Sequence, residues 1–370
     1  MRRLLGHIIA EAASAKIKLK ARRAADGKFD RPRVSYGFDH VPGPGEQAHG
    51  GIVKFQGMQG LYANSPKSYN LLYLLSSYKS PYAGQIAEAS KKKGAKLVWN
   101  QNGVAFPAWH GPGWEDTNAP MRTLLHLADY VFYQSKFCKE SADRFLGIRK
   151  GSSEILYNAV DTGFFKPAEM ASEPREWALL LSGSHWQLYR VQAALETLHA
   201  ILKKAVNARL IIAGRFCWHA DSKKAEDEVK GICLKLGIMD SVIFRGPYTQ
   251  AEAGHMIRKA HILLHTKYND PCPSVVLEAM ACGLPVVYSG SGGVPELVGP
   301  DAGIGIPAPA DWDRLHPPDP DEMAEAVLQV MSSYKVYSEA ARQRAVENFD
   351  VTPWLRRHKE LFESFMSGAS

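Results

Sequence analysis

The chain has few cysteines and no long apolar run. Its five cysteines are an odd number, and no two of them have C-x-x-C spacing. Neither a disulfide framework nor a zinc site is therefore expected, and a reducing cytoplasm is favoured. No apolar run approaches the roughly 20 residues that span a bilayer. The basic residues are spread along the chain and form no stripe with aromatic residues, which argues against a nucleic-acid-binding protein.

The overall composition is that of a soluble globular protein. The chain has 370 residues, of which 45% are hydrophobic and 22% charged, so it is long enough for two domains. Its net charge of +7 favours a partner that carries negative charge, such as a phosphate-bearing ligand or an anionic membrane.

The first 30 residues have the pattern of a basic amphipathic helix. Apolar residues recur at helical spacing from Leu4 to Ile17, and lysines and arginines accompany them. His7 and Glu11 interrupt the apolar part, which makes a signal peptide a poor fit. We predict a helix over residues 1–30 that lies on the anionic inner face of the membrane. The alternatives are a solvated basic extension and a helix packed on the first domain.

Strand and helix patterns alternate along most of the chain. Short apolar runs are followed by amphipathic helical segments, which predicts βαβ units and parallel sheets. The polar segment from Thr162 to Glu176 contains prolines and predicts a linker. We expect two doubly wound α/β domains, residues 31–165 and 166–345, and a helical segment, residues 346–370, broken at Pro353. Ligands bind beyond the carboxyl ends of such strands, so the two domains are expected to face a central cleft.

One stretch, Tyr268–Val298, combines the features of a binding site. Asp270 lies on a turn broken by prolines, a helix follows at Ser274–Cys282, and Gly283 ends it. A helix N-terminus suits a phosphate, and carboxylates suit sugar hydroxyls, so the stretch fits a nucleotide-sugar. Glu278 lies within an otherwise apolar helix, where an unpaired buried carboxylate is costly. This placement favours a ligand for Glu278.

The same stretch resembles the donor-site signature of family-4 retaining glycosyltransferases (glycosyl transferases group 1), which have the GT-B fold. That signature is a Glu-x7-Glu pattern followed by E-A-M-A-C-G-x-P-V-V and G-G-x-P-E. Asp270 holds the first acidic position, Glu278 the second, and Gly292–Glu296 the last motif. Residues 155–167, I-L-Y-N-A-V-D-T-G-F-F-K-P, look like the end of the family's first domain.

The resemblance implies roles for these residues. Glu278 should accept two hydrogen bonds from the ribose cis-diol, and Asp270 should contact hydroxyls of the transferred sugar. Family members usually have Gly where Pro273 stands, and proline has no N–H to donate. The further donor contacts that the resemblance implies, at helix starts and in glycine loops, are Ser274, Val275, Gly50, Gly51, Ser184 and Gly293.

The cations of the site depart from the family. The family commonly has an Arg after the glycine that ends the first strand of the second domain, and a Lys five residues later. Here Ser184 and Tyr189 hold those positions, and Arg190 is the nearest cation. We expect Arg190 to clamp the diphosphate and to stabilise the leaving group. Arg215 and Arg245 follow strand ends in the same domain and are second choices for phosphate or base contacts. No Asp-x-Asp motif stands in a suitable loop, so no metal ion or other cofactor is expected.

In the first domain the candidates are fewer. Asn102 stands where many relatives have His before Gly. Together with Asp270 and Arg190 it is a catalytic candidate, although Asn cannot act as a base. The loop Phe106–Asn118 is rich in Trp, His and acids. Aromatic faces stack on sugars, so His110, Glu115 and Asp116 are candidates for acceptor binding. A packed Gly/Pro loop is the alternative.

The resemblance implies a retaining enzyme of the hexosyltransferase type. It would move a sugar from a UDP- or GDP-sugar, held by the second domain, to a glycan or lipid-linked acceptor in cell-surface polysaccharide synthesis. A front-face displacement would need no protein nucleophile. A nucleotide-sugar epimerase or a phosphorylase on the same fold is the alternative, and a non-catalytic basic binding protein is a more distant one. We expect a cytoplasmic protein, peripheral on the inner membrane face, with no nucleic-acid partner.

Overall fold

The computed structural model describes residues 2–43, 46, 50–168 and 174–367, with side chains from residue 13 onward. Two compact units make up the chain. The first contains Met1–Tyr157 together with Thr352–Ser370, and the second contains Asn158–Val351. Each unit has a parallel sheet with helices packed on it, which is the Rossmann-like α/β architecture expected from the sequence.

The helices and strands follow one another as the alternating pattern predicts. Those of the first unit are α1 (Arg2–Ala24), β1 (Val34–Ser35), α2 (Gly50–Gln59), β2 (Leu71–Leu75), α3 (Ala83–Lys91), β3 (Lys96–Gln101), α4 (Pro107–His110), α5 (Trp114–Leu127), β4 (Tyr130–Tyr133), α6 (Lys136–Phe145) and β5 (Ser153–Ile155). Those of the second unit are β6 (Trp177–His185), α7 (Tyr189–Lys203), β7 (Ala208–Phe216), α8 (Ser222–Leu236), β8 (Val242–Gly246), α9 (Gln250–Ile257), β9 (Ile262–His265), α10 (Ser274–Ala281), β10 (Val286–Gly290), α11 (Val294–Val298), β11 (Gly303–Pro307), α12 (Pro320–Ser332) and α13 (Tyr334–Phe349). The last helix is α14 (Val351–Ser364).

The sheet of the first unit has the spatial order β1-β2-β3-β4-β5, all parallel. Strand β2 is buried along its whole length, as expected for a parallel strand covered on both faces. The run R-V-S-Y-G-F-D-H at residues 33–40 predicts a first strand, but β1 covers only Val34–Ser35. Gly37 adopts a left-handed φ of 79°, and the N–H of Tyr36 donates to the side chain of Asn64 instead of to a strand.

Helix α1 packs on the first unit through its C-terminal half. Ala21 and Ala24 are buried, and Lys18 lies 3.9 Å from Glu88 of α3. This part therefore matches the alternative of a helix packed on the first domain. Membrane contact through the apolar residues before residue 13 stays a prediction, because those side chains lie outside the described ones. None of the described helices is both long and apolar enough to cross a bilayer.

The C-terminal helices join at a different place from the predicted one. The break between α13 and α14 lies at Asp350, whose backbone is extended, and Pro353 is inside the first turn of α14. A proline is tolerated there, since its missing N–H would have no acceptor within the helix. Helix α14 packs on the sheet of the first unit, where His358 Nε2 lies 3.0 Å from the Tyr73 hydroxyl.

The sheet of the second unit has the order β11-β10-β9-β6-β7-β8. The chain builds outward from β6 through β7 to β8, and then returns to place β9 on the other side of β6. The point between β6 and β9 is a topological switch point, where ligands bind at the carboxyl ends of the strands in sheets of this kind. The apolar core on one side of this sheet is formed with α7, α8 and α12.

Candidate functional site

The switch point of the second unit gathers several of the predicted residues. Strand β6 ends at His185, and Arg190 lies in the first turn of α7 just beyond it. Strand β9 ends at His265, and the turn that carries Asp270 follows. Because β6 and β9 are parallel neighbours, both turns lie at the same edge of the sheet.

Asp270 is a buried carboxylate that already has two partners. Its Oδ2 is 3.1 Å from His265 Nε2, and its Oδ1 is 3.1 Å from Lys267 Nζ. Burial would raise the pKa of Asp270, but Lys267, His265 and then Arg190 outweigh burial and hold that pKa well below its usual range. Asp270 is also not a helix cap, since the cap position of α10 belongs to Pro273.

Arg190 is buried beside this carboxylate. Its side chain donates from Nη1 to the carbonyl oxygen of Ser184 at 2.7 Å. Burial lowers the pKa of Arg190, and Asp270 opposes that effect. Two buried nitrogens at this edge, Arg190 Nε and His185 Nδ1, have no hydrogen-bond partner within the described part of the chain. Buried polar atoms are normally paired, so these two are exceptions at this edge of the sheet.

Glu278 lies in the middle of α10 and is only 8% exposed. Gln250 Nε2 donates to its Oε1 at 3.1 Å. Burial raises the pKa of Glu278 by more than this hydrogen bond lowers it. Among the described residues no cation pairs with it, and an uncompensated buried carboxylate is costly. A ligand with two hydroxyl donors would bind favourably to a carboxylate in this environment.

The start of α10 presents backbone N–H groups next to these acids. Ser274 and Val275 are its first two residues and are partly exposed. Helix geometry leaves the first N–H groups without intrahelical acceptors, and the dipole favours an anion there. Pro273 adopts φ −72° and ψ 121° before the helix, which agrees with the predicted start.

The glycine loop at Gly292 and Gly293 packs against Asp270. A Cβ on Gly292 would lie 2.6 Å from the carbonyl oxygen of Asp270, and Gly292 has a φ of 69°. The N–H of Gly293 donates to the same carbonyl at 2.9 Å. The close approach at Gly292 is therefore to the backbone of the Asp270 turn, and a donor contact at Gly293 stays a prediction.

The other predicted phosphate contacts of the second unit lie farther out on the surface. Ser184 is partly exposed, and its carbonyl is the acceptor for Arg190. Arg215, near the end of β7, is exposed. Arg245 in β8 is exposed and forms an ion pair with Glu252 at 3.0 Å. The assignment of both arginines to phosphate or base contacts stays a prediction.

In the first unit, Gly50 and Gly51 begin α2. A Cβ on Gly51 would lie 2.8 Å from the Ser77 hydroxyl, so glycine lets the helix start approach the loop after β2. Asn102 follows β3, and its Oδ1 accepts from the N–H of Gly103 at 2.8 Å. Asn102 thus closes a local turn at the carboxyl edge of this sheet.

The predicted aromatic loop is largely helical. Helix α4 ends at His110, and α5 begins at Trp114, so Glu115 and Asp116 are exposed residues of a first helical turn. Acids are favoured there by the helix dipole. His110 Nε2 lies 2.9 Å from the Thr117 hydroxyl. The helix dipole and the contact with Thr117 account for these three residues without a ligand. Their role in acceptor binding stays a prediction.

Sequence reasoning missed four residues of the site: His185, His265, Lys267 and Gln250. Two of them stand within five residues of Asp270, so nearby polar residues at the end of a strand were an available signal. Gln250 reaches Glu278 from 28 positions away, and no local pattern marks it. Among the described residues, no group of three or more His, Cys, Asp or Glu side chains could hold a metal ion.

Comparison with known proteins places the matched region in the second unit. Residues 171–348 match the family Glycosyl transferases group 1. A phosphatidylinositol N-acetylglucosaminyltransferase subunit from Arabidopsis thaliana is 26% identical over 217 residues, which are 58% of this chain and 44% of that protein. A D-inositol 3-phosphate glycosyltransferase from Streptomyces bingchenggensis is 39% identical over 89 residues, 23% of this chain and 20% of that protein. The chain spans about half the length of the first two curated relatives that it matches.

Solved structures share the fold over most of the chain. Anabaena HepE in complex with UDP and glucose superposes with a TM-score of 0.65 at 19% identity, covering 85% of this chain and 82% of HepE. Sucrose-phosphate synthase from Thermosynechococcus elongatus has the same TM-score at 18% identity, covering 85% of this chain and 77% of that enzyme. These neighbours are GT-B glycosyltransferases, and the predicted fold class is confirmed. Residues 171–348 are therefore similar to the glycosyl transferases group 1 family, and the chain shares its fold with GT-B glycosyltransferases.

Proposed function

We propose that this protein is a glycosyltransferase whose donor is a nucleotide-diphosphate-sugar. The observation that carries the proposal is Glu278, a buried carboxylate without a cation partner among the described residues, inside the matched domain. A ribose cis-diol offers two hydroxyl donors to its two oxygens. The first turn of α10 and Arg190, both beside Asp270, supply positive charge for the diphosphate.

The donor is a UDP- or GDP-sugar, and transfer proceeds with retention by a front-face displacement of a hexosyl group. The solved complexes of Anabaena HepE with UDP and with UDP-glucose support a uridine donor. Asp270 supports the absence of a protein nucleophile, because a carboxylate paired with both His265 and Lys267 is a weak nucleophile. The reaction needs no metal ion in this scheme.

The acceptor is a glycan or a lipid-linked saccharide of cell-surface polysaccharide synthesis, used at the cytoplasmic face of the membrane. The Arabidopsis thaliana relative, whose name is that of a phosphatidylinositol N-acetylglucosaminyltransferase, supports a lipid-linked acceptor. The basic N-terminal segment, with Arg22 and Arg23 in the last turn of α1, supports an anionic membrane surface nearby.

A panel of UDP- and GDP-sugars tests the donor. A ligand at 100 times its Kd stabilises the folded state by about 2.7 kcal/mol, so the right donor should raise the melting temperature while the free sugar should not. Incubation with that donor and lipid-linked acceptors should then give a glycoside with the donor's anomeric configuration. Interconversion of nucleotide-sugars would instead indicate an epimerase, and phosphate-dependent cleavage of a glycan would indicate a phosphorylase. A panel in which no nucleotide-sugar shifts the melting temperature would refute the donor class.

A further inference from the structure

Two cations lie at the switch point, and they differ in how accessible they are to a ligand. Arg190 is 5% exposed, and its Nη1 is used by the carbonyl of Ser184. The Lys267 side chain is 32% exposed, and its Nζ is held 3.1 Å from Asp270 Oδ1. An ammonium group has three donors, and the ion pair with Asp270 uses one of them. Lys267 is therefore the more accessible of the two cations, and it keeps donors for a ligand.

The loop around Lys267 is fixed on both sides of the residue. The Thr266 hydroxyl donates to the carbonyl oxygen of Arg190 at 2.7 Å. The N–H of Tyr268 donates to the Tyr189 hydroxyl at 3.0 Å. Lys267 thus lies between two residues that are tied to the first turn of α7. Tyr189 stands where the sequence resemblance expects a lysine, and its hydroxyl is used to hold the loop that carries Lys267.

Asp270 orients the ammonium group of Lys267. One of its oxygens is fixed by His265 and the other faces Lys267. With both oxygens engaged, Asp270 has less capacity to accept hydrogen bonds from a sugar. The Arg190 side chain is 5% exposed, and its Nε has no hydrogen-bond partner among the residues that the structure describes, which is an independent sign that a ligand completes this group of residues.

We propose that Lys267 binds the diphosphate of the donor as the second cation of the site, and that Asp270 is a positioning residue that acts through Lys267. This assignment rests on the proposed function, because it presumes a nucleotide-diphosphate ligand. A lysine suits that task as a compact charge with several donors. Lys267 would thus supply, from a neighbouring loop, the positive charge that Tyr189 lacks.

Calorimetric titration with UDP and GDP, and in parallel with uridine and guanosine, tests the assignment. Lys267→Met should weaken binding of the diphosphate about tenfold or more, since a hydrogen bond to a charged group is lost. Binding of the nucleoside should change less than about twofold, because it has no phosphate. Lys267→Arg should restore most of the diphosphate affinity. Lys259→Met, at an exposed lysine after α9, is the matched control and should bind like the wild type.

A double-mutant cycle tests the role of Asp270. If Asp270 acts through Lys267, Asp270→Asn should weaken diphosphate binding in the wild type but change it little in the Lys267→Met background. Equal effects in both backgrounds would overturn the positioning role.

The outcomes separate the two proposals. Unchanged diphosphate affinity in Lys267→Met, or an equal loss of nucleoside affinity, would overturn the role of Lys267 alone. A wild-type protein that binds neither UDP nor GDP would overturn both the assignment and the proposed donor.

Discussion

Replacing Glu278 by glutamine should change ligand binding and protein stability in opposite directions. The substitution keeps the size of the side chain and an oxygen that can accept from Gln250, but it removes the negative charge. In the free protein that charge is buried without a cation partner among the described residues, whereas in the complex we expect it to receive the ribose hydroxyls. The substitution should therefore stabilise the free protein and weaken ligand binding.

The magnitudes follow from this environment. A hydrogen bond to a charged group contributes about 1.5–3 kcal/mol, so loss of the charge should cost roughly 2 kcal/mol of nucleoside binding, or about 30-fold in Kd. For the free protein, a carboxyl pKa raised by burial means that stability is highest below the unfolded-state pKa and is lost as pH rises through the folded-state pKa. That loss is about 1.4 kcal/mol for each unit of pKa difference. The Glu278→Gln variant avoids this loss of stability at neutral pH, because glutamine carries no charge.

Differential scanning fluorimetry and calorimetric titration measure the two effects on the same samples. We expect Glu278→Gln to melt at the same temperature as the wild type or above it, and to bind UDP or GDP about 30-fold more weakly. The matched control is Glu347→Gln. Glu347 also accepts a hydrogen bond from a glutamine, Gln343, at 2.8 Å, but it is exposed, so neither quantity should change.

A variant that melts several degrees lower and binds the nucleotide as well as the wild type does would show that Glu278 stabilises α10 rather than a ligand. In that case the donor site would have to lie elsewhere in the second unit.

Three further predictions follow from the same geometry. Binding of uridine or guanosine should weaken as the pH is lowered, because burial raises the pKa of Glu278 and protonation removes its negative charge. Titration of Glu278→Gln should show little of this pH dependence. Gly292→Ala should destabilise the protein by about 1–3 kcal/mol in chemical unfolding, since it combines a φ of 69° with a Cβ 2.6 Å from the Asp270 carbonyl, whereas Gly231→Ala inside α8 should be neutral or stabilising. Burial lowers the pKa of His358 to about 3, so the unfolded chain binds the extra proton and the free energy of unfolding should fall as pH drops from about 6.5 to about 3; His358→Gln should make that fall shallower.

Some errors of the sequence-based prediction have local physical causes. The first strand ends early because Gly37 adopts a left-handed conformation, which an apolar run does not reveal. The sequence predicts the helix break at Pro353, but a proline in a first turn interrupts nothing, and the chain breaks at Asp350. The sequence predicts a loop around Glu115 and Asp116, in a segment interrupted by Gly and Pro, yet the helix already begins at Trp114.

The sequence by itself determined what depends on contiguous residues. The alternation of strands and helices, the start of α10 at Ser274, the burial of Glu278 within that helix and the resemblance of the whole stretch to a donor site all follow from patterns within about thirty residues. The match of residues 171–348 to the glycosyl transferases group 1 family and the shared fold agree with that prediction.

Only the tertiary structure decided which residues meet at the site. His185 and Arg190 come together with His265 and Asp270 because β9 returns to the free side of β6. That strand order is set by packing across the whole sheet, so no local pattern encodes it. The same return ties the loop that carries Lys267 to Tyr189 and Arg190, and the pairing of β10 with β9 brings Gly292 against the Asp270 backbone.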